Sequence, residues 1–290
     1  MGGVVQRREM MVLAAAVLIG CGTAPAGKST SPATARGDLP IPPDLRARVE
    51  TSAAIGAQLY VLDKVSALAT DELASRVPDF RDQNLGGYLP MREGTEDGRP
   101  LDSYLVYFFT REEPPRVAYQ IRVRPNAKPE LEAFAPPQPA TDSFVAFVRA
   151  RQGAIAAVPP GHQPINPVLI PGSANGEKGI LVYLLAGTTT PNVAVFGKHY
   201  RVLMPEAGGV PRYVMPLSKS ALELPVRPPS GGKPKALMVT HLLTDWPLET
   251  HVFVSLLWHL PVYVATARGI WRVDGDKIAL VDDRPPKTAP

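Results

Sequence analysis

The chain has 290 residues, 45% of them hydrophobic and 20% charged, with 31 Lys and Arg against 27 Asp and Glu for a net charge of +4. Those proportions exclude an intrinsically disordered chain, and the length suits one large domain or two small ones with ample core. The positive excess is scattered, with no run of Lys or Arg, which argues against nucleic acid as a partner. The 33 prolines and 24 glycines are nearly a fifth of the chain, against a usual ~12%, so many turns are expected between the apolar runs.

Residues 1–20 carry the parts of a secretory signal: Arg7 and Arg8, an apolar stretch from Met10 to Ile19, and small residues at the end. The stretch is too short for a spanning helix, which needs roughly 18–20 apolar residues. Its end, Leu18-Ile19-Gly20-Cys21, resembles a bacterial lipobox. That resemblance implies thioether lipidation of Cys21, cleavage after Gly20 and acylation, palmitate-like, of the new amino terminus. Cys21 is the only cysteine; in an oxidising compartment it can form no internal disulfide, and lipidation removes the exposed thiol. More than one acyl chain gives stable membrane attachment. The alternative is an ordinary signal cut at a nearby Ala. Arg7-Arg8 also loosely matches a twin-arginine pattern, so the export route stays open. Gly22, where inner-membrane lipoproteins carry Asp, resembles the default for sorting to the outer membrane, facing the periplasm.

Residues 21–42 are rich in Ala, Pro, Ser, Thr and Gly and read as a disordered tether, followed by a globular region over 43–283. A first helix starts at Pro43 and runs to about Ala74, with a stripe of Leu45, Val49, Ala53, Leu59, Tyr60 and Leu68. A turn-rich stretch around Gly86-Gly87 precedes two strands, Ser103 to Thr110 and Arg116 to Arg124, joined as a hairpin. Thr141 caps a second helix, with Phe144, Phe147, Val148 and Ile155 on one face, ending before Pro159. Strands are expected at 165–170, 179–185, 193–196, 200–204 and 212–215, then a Pro/Gly linker over 225–235. The last block is a buried strand at 236–243, a helix at 248–260, a strand at 262–266 and a hairpin around Asp274-Gly275-Asp276. Residues 284–290 read as a flexible tail.

Strands mostly neighbour strands, with about three helices interspersed, which predicts an α+β fold with largely antiparallel sheet rather than a doubly wound parallel one. The globular region is one domain or two halves, 43–160 and 165–283. Three segments resemble an uncharacterised family of exported Gram-negative proteins: Leu59–Leu73, Val193–Val202 and Val239–Thr266. The resemblance implies export and a whole-chain architecture. The family has no established activity, so it transfers no catalytic residue.

The densest polar cluster is His241, Asp245, Glu249, His251, Ser255 and His259. Leu248, Val252, Phe253, Leu256, Leu257 and Leu260 form the expected buried stripe of the last helix, leaving His251, Ser255 and His259 on its opposite, solvated face. His241, His251 and a carboxylate could hold zinc for a metal-assisted hydrolase, although the spacing is not that of HExxH. Ser230-Gly231-Gly232-Lys233 matches Ser-x-x-Lys by letter, in a linker rather than at a helix start. Asp63 and Asp71 lie eight apart on the first helix and read as a solvated face and a helix end. His199 and Tyr200 follow a tight turn that could touch a ligand. Two functions are therefore expected. The first is an envelope binding module with no cofactor, contacting the membrane through Cys21 and a partner protein or small molecule. The second is a hydrolase using zinc.

Overall fold

The computed structural model describes residues 37–284 apart from 81–82, 97–98, 101, 162–163, 175, 228–231 and 233. The expected signal segment, Cys21 and most of the expected tether therefore lie outside the described residues. So do Ser230, Gly231 and Lys233 and the tail from 285.

In chain order the elements are α1 (Pro43–Arg76), β1 (Leu85–Arg92), β2 (Thr95–Glu96), β3 (Arg99–Pro100), β4 (Tyr104–Thr110), β5 (Arg116–Val123), β6 (Glu130–Pro139) and α2 (Asp142–Ala157). They continue with β7 (Ile165–Ala174), β8 (Glu177–Ala186), β9 (Val193–Val195), β10 (Tyr200–Met204), β11 (Tyr213–Pro216), β12 (Glu223–Pro225) and β13 (Leu237–Thr240). The chain closes with α3 (Glu249–Trp258), β14 (Val262–Thr266), β15 (Gly269–Asp274) and β16 (Lys277–Asp282).

Three four-stranded sheets organise the molecule: β1-β4-β5-β6, β11-β10-β8-β7 and β13-β14-β15-β16. Among the described residues every strand pair is antiparallel except β13 with β14, which α3 joins as a parallel crossover. The fold is α+β and sheet-dominated, as the sequence pattern leads one to expect. The last hairpin is closed by Asp274 opposite Lys277, leaving Gly275-Asp276 as its loop. Gly275 adopts φ +60°, the glycine-first pattern of a two-residue hairpin turn.

One strand, β1, arises where turns were expected, and another, β6, in a stretch for which the sequence predicted no element. Gly86-Gly87 opens β1 as a bulge, with Gly87 at φ +143° and the register against β4 slipping between Leu85 and Gly87. The proline-bearing β6 is an edge strand, the one place in a sheet that tolerates missing N–H donors. The segment at 236–243 is only partly a buried strand. β13 is also an edge, and Met238 and Leu242 face outward at 60% and 66% exposure.

The folded body also begins earlier than Pro43. Leu39 donates its N–H to Leu280 O at 2.7 Å, and Asp38 pairs with Arg272 at 2.9 Å, so the end of the expected tether is seated on the last hairpin.

Helix α1 is the spine. Its buried face runs through Leu45, Val49, Ser52, Gly56, Leu59, Leu62, Val65, Ser66, Ala69 and Leu73, whereas Leu68 is 41% exposed. Small residues hold that face because α3 crosses there: a Cβ on Gly56 would sit 2.4 Å from Val252 Cβ and 2.6 Å from Glu249 O. The first half of α1 shares a core with the second and third sheets and α3, while Val65, Ala69 and Leu73 pack on Val106, Phe108 and Ile121 of the first sheet. The other face of the first sheet packs with α2 and the second sheet through Phe109, Phe144, Val148 and Val182. The described residues from Gly37 onward form one compact unit, and its cores cross the 159–164 stretch.

Candidate functional site

Two of the three residues on the expected solvated face of α3, His251 and Ser255, are buried, and so is Glu249 at the start of the helix. Glu249, His251 and Ser255 are 2%, 5% and 1% exposed, whereas Leu257 of the expected apolar stripe is 41% exposed. A helix that is apolar nearly all round is enclosed on most sides, and its polar groups must then find partners inside. Ser255 Oγ lies 2.8 Å from Leu260 O and 3.2 Å from Val273 O, and accepts the Gly275 N–H at 3.0 Å. Glu249 pairs with Arg201 of β10 at 2.9 Å. Tyr183, fully buried beside that pair, has its hydroxyl pKa pushed up by burial, then by the Glu249 charge. Asp245 sits in the loop before α3, where its backbone carbonyl accepts from Thr266 Oγ1. His259, exposed, ends α3 in the left-handed region at φ 52°.

The hydrogen bonds fix the tautomers of three buried histidines. Nδ1 of His199 accepts the Ala186 N–H at 2.9 Å, so its Nε2 carries the proton and donates to Val195 O at 3.1 Å. Both nitrogens are spent, and the residue joins β8 to the end of β9 rather than meeting a ligand. Nδ1 of His251 accepts the Leu248 N–H at 2.9 Å, satisfying a helix-end donor, so Nε2 again carries the proton. Thr244 gives its hydroxyl proton to Trp246 O at 2.6 Å, and can only accept from His241 Nε2 at 3.0 Å. The free lone pair of His241 is therefore on Nδ1. The His241 and His251 rings stand edge to face with centroids 5.0 Å apart. Burial lowers their pKa values to about 4 and about 3, and the mutual repulsion of the two rings adds to the drop at His251. His199 falls to about 4 through burial.

The sequence brings His241 and His251 together correctly, but not with a carboxylate. Glu249 faces Arg201, and among the described residues no group of three His, Cys, Asp or Glu is arranged to hold a metal ion. A neutral imidazole has one lone pair, and that of His251 is held by Leu248 N–H, so this pair does not fit zinc as it stands. His241 and His251 instead share a pocket of about 70 Å³ with Phe196, Leu242 and the turn Ser218–Ser220.

Asp63 is not solvated either. Asn166 of β7 donates to its carboxylate, and Tyr88 of β1 donates to the same amide's oxygen. Burial raises the Asp63 pKa, and the Tyr88 hydroxyl is pushed up to about 12 by burial first and by the Asp63 charge second. Arg151 of α2 lies close by, stacked 5.8 Å over Phe109, with its pKa lowered by burial. Asp71 is exposed on α1.

A larger feature has no counterpart in any sequence motif. Along α1 runs a cleft of about 610 Å³, walled by Ala57, Val61 and Leu62, by Pro90–Arg92 of β1, by Phe147 of α2, and by Leu169 and Pro171 of β7. A second cleft, about 430 Å³, continues it past Lys64 and Leu68 towards Arg124 and the β5–β6 turn. Val61 and Tyr104 line both. From Ala57 to Leu68 the shared wall is about 17 Å of helix at ~1.5 Å per residue. No described helix is long and apolar enough to cross a membrane. Comparison of the chain with protein-family models, curated proteins and solved structures finds no match.

Proposed function

We propose that the protein is a bacterial envelope lipoprotein, anchored through Cys21, that binds an amphipathic small molecule in the cleft along α1. The single observation behind the binding role is the pair of adjoining clefts, about 610 and 430 Å³. They fall in the volume range of small-molecule sites, and their walls are mainly apolar and aromatic with a few polar groups, as such sites require. Met91, Phe147, Tyr104 and Leu169 offer the apolar body of a ligand its contacts, while Lys64 and Arg124 stand at the far end where a polar or anionic head could lie. The anchor rests on the lipobox-like Leu18–Cys21 and on the absence of any other cysteine in the sequence. The likeness of three segments to exported Gram-negative proteins supports the same address, with the outer membrane favoured by Gly22.

Two measurements test this. Intact-mass spectrometry of the chain made in a Gram-negative host should show lipid on Cys21 in the membrane fraction, and Cys21→Ser should release the protein. Displacement of a fluorescent fatty-acid probe should report binding that Ala57→Trp, which fills the cleft, abolishes without changing the melting temperature. Equal probe binding by both proteins would remove the cleft from consideration. The zinc hydrolase reading gains nothing from the geometry, because His251 has no lone pair to offer while it caps α3.

A further inference from the structure

We propose that the pocket between His241, His251 and the turn Ser218–Ser220 binds a small oxyanion, a carboxylate or phosphate group, together with one proton. This site is separate from the cleft and does not depend on it. Its floor is the two imidazoles, 5.0 Å apart. Nε2–H of His251 is a donor on a residue only 5% exposed and held in place by Leu248 N–H, yet it has no partner among the described residues. Such a donor calls for an acceptor. It is not among the described polar atoms that are sealed and unsatisfied, so the accessible space it reaches is that of the pocket it lines.

His241 supplies the complement. Its Nε2–H is committed to Thr244, and its Nδ1 lone pair, likewise unpartnered among the described residues, would repel an anion. Protonation at Nδ1 turns that repulsion into a second N–H donor without disturbing the Thr244 bond. The anion and the proton therefore enter together, each removing the other's desolvation penalty.

The surroundings agree. Among the described residues no carboxylate lines the pocket, while Lys219 and Ser220, both exposed, offer an ammonium and a hydroxyl at its mouth. Behind His251, His199 is neutral with both nitrogens engaged, and the nearby Glu249 is neutralised by Arg201. Asp245 lies in the adjoining loop and does not line the pocket. The turn that forms the rim is fixed, since a Cβ on Gly197 would meet Ser220 O at 2.3 Å. A volume of about 70 Å³ takes one carboxylate or phosphate group, and the remainder of any larger ligand would leave past the exposed Leu242.

The test uses the full chain carrying Cys21→Ser to keep it in solution, with acetate, inorganic phosphate and chloride as probes. Histidine-ring NMR should show His241 gaining a proton on Nδ1 when acetate or phosphate is added at pH 5.5. Affinity should rise roughly tenfold for each pH unit between 7 and 5, the slope for one coupled proton. Calorimetry in buffers of different ionisation enthalpy should give one proton taken up per anion. Acetate and phosphate arms separate a carboxylate seat from a phosphate seat. The surface variant Lys219→Ala, which leaves the fold untouched, should weaken binding severalfold, and His251→Phe should abolish it. Unchanged ring resonances with both anions at pH 5.5 would overturn the proposal. So would binding with no proton uptake, or an equal response to chloride.

Discussion

At the scale of single residues, the buried histidines set a pH dependence. His199, His241 and His251 titrate near 4, 4 and 3 in the folded chain, each lowered chiefly by burial, against ~6.5 when unfolded. Between those values the unfolded state binds more protons than the folded one, so stability rises with pH. Their contribution is complete above about pH 6.5 and is lost as pH falls towards 4, at up to ~3 kcal/mol per histidine. Urea midpoints measured from pH 7.5 to 4.5 should therefore fall, and a combined His199→Gln, His241→Asn variant should flatten the curve. Glu249 gives a second expectation. Its removal strands Arg201, whose side chain is only 21% exposed, so Glu249→Ala should cost about 3 kcal/mol, while Arg201→Met with Glu249→Leu should recover much of it. Urea denaturation of the single and double variants reads both. The sequence located His241, His251 and Glu249 as one neighbourhood because they are local in the chain. It could not reveal that Glu249 turns to β10, or that Asp63, Asn166 and Tyr88 meet, because those contacts join positions 48, 103 and 78 apart.

At the scale of elements, the crossing of α1 and α3 is the tightest constraint. Gly56→Leu drives a side chain into Val252 and the Glu249 carbonyl, and should destabilise by 3 kcal/mol or so, at the upper end of overpacking costs. The same variant should shift the His251 ring resonances, since Val252 is its neighbour. Thr141→Ala removes the side-chain acceptor for Phe144 N–H at 3.3 Å and should cost about 1 kcal/mol. Elements with clean local signals were legible: β4 from its apolar and aromatic run, β5 from its alternation, α2 from its cap, β10 and β14 from their apolar runs, and the last hairpin from its glycine. Those that failed had tertiary causes. β1 opens on a glycine pair that reads as a turn, and β6 carries prolines that only an unpaired sheet edge can accept. The polar side of α3 looked solvated because spacing alone shows which residues share a face, not which faces are covered. In α1 the buried face is made of Ser52, Gly56, Ser66 and Ala69 as much as of leucines, so its hydrophobic period is blurred in the sequence.

At the scale of the whole molecule, one core ties α1 to the second and third sheets, with Leu45, Leu59, Tyr183, Val252 and Trp271 in common. Unfolding should accordingly be a single transition. Tryptophan fluorescence, which reports Trp246, Trp258 and Trp271 near the end of the chain, and far-UV circular dichroism, which reports all of it, should give coincident urea curves. Separate curves would mean that the two sides of the 159–164 stretch unfold independently. Leu39→Ala should lower the midpoint of both curves together, by about 1 kcal/mol for a half-buried leucine.

The seating of Asp38 and Leu39 on the last hairpin has a consequence in time. Arg272, the partner of Asp38, is 234 residues further along the chain. The first half of α1 likewise finds its core partners in Val252, Val262, Trp271 and Leu280. A chain made or threaded from its amino terminus meets the second-sheet partners of that helix, such as Val168 and Tyr183, midway, but those on α3 and the third sheet come last. Closing so long a loop carries an entropic penalty that grows only slowly with length, so it is the order of arrival that rules. The body cannot lock until its last strand is present.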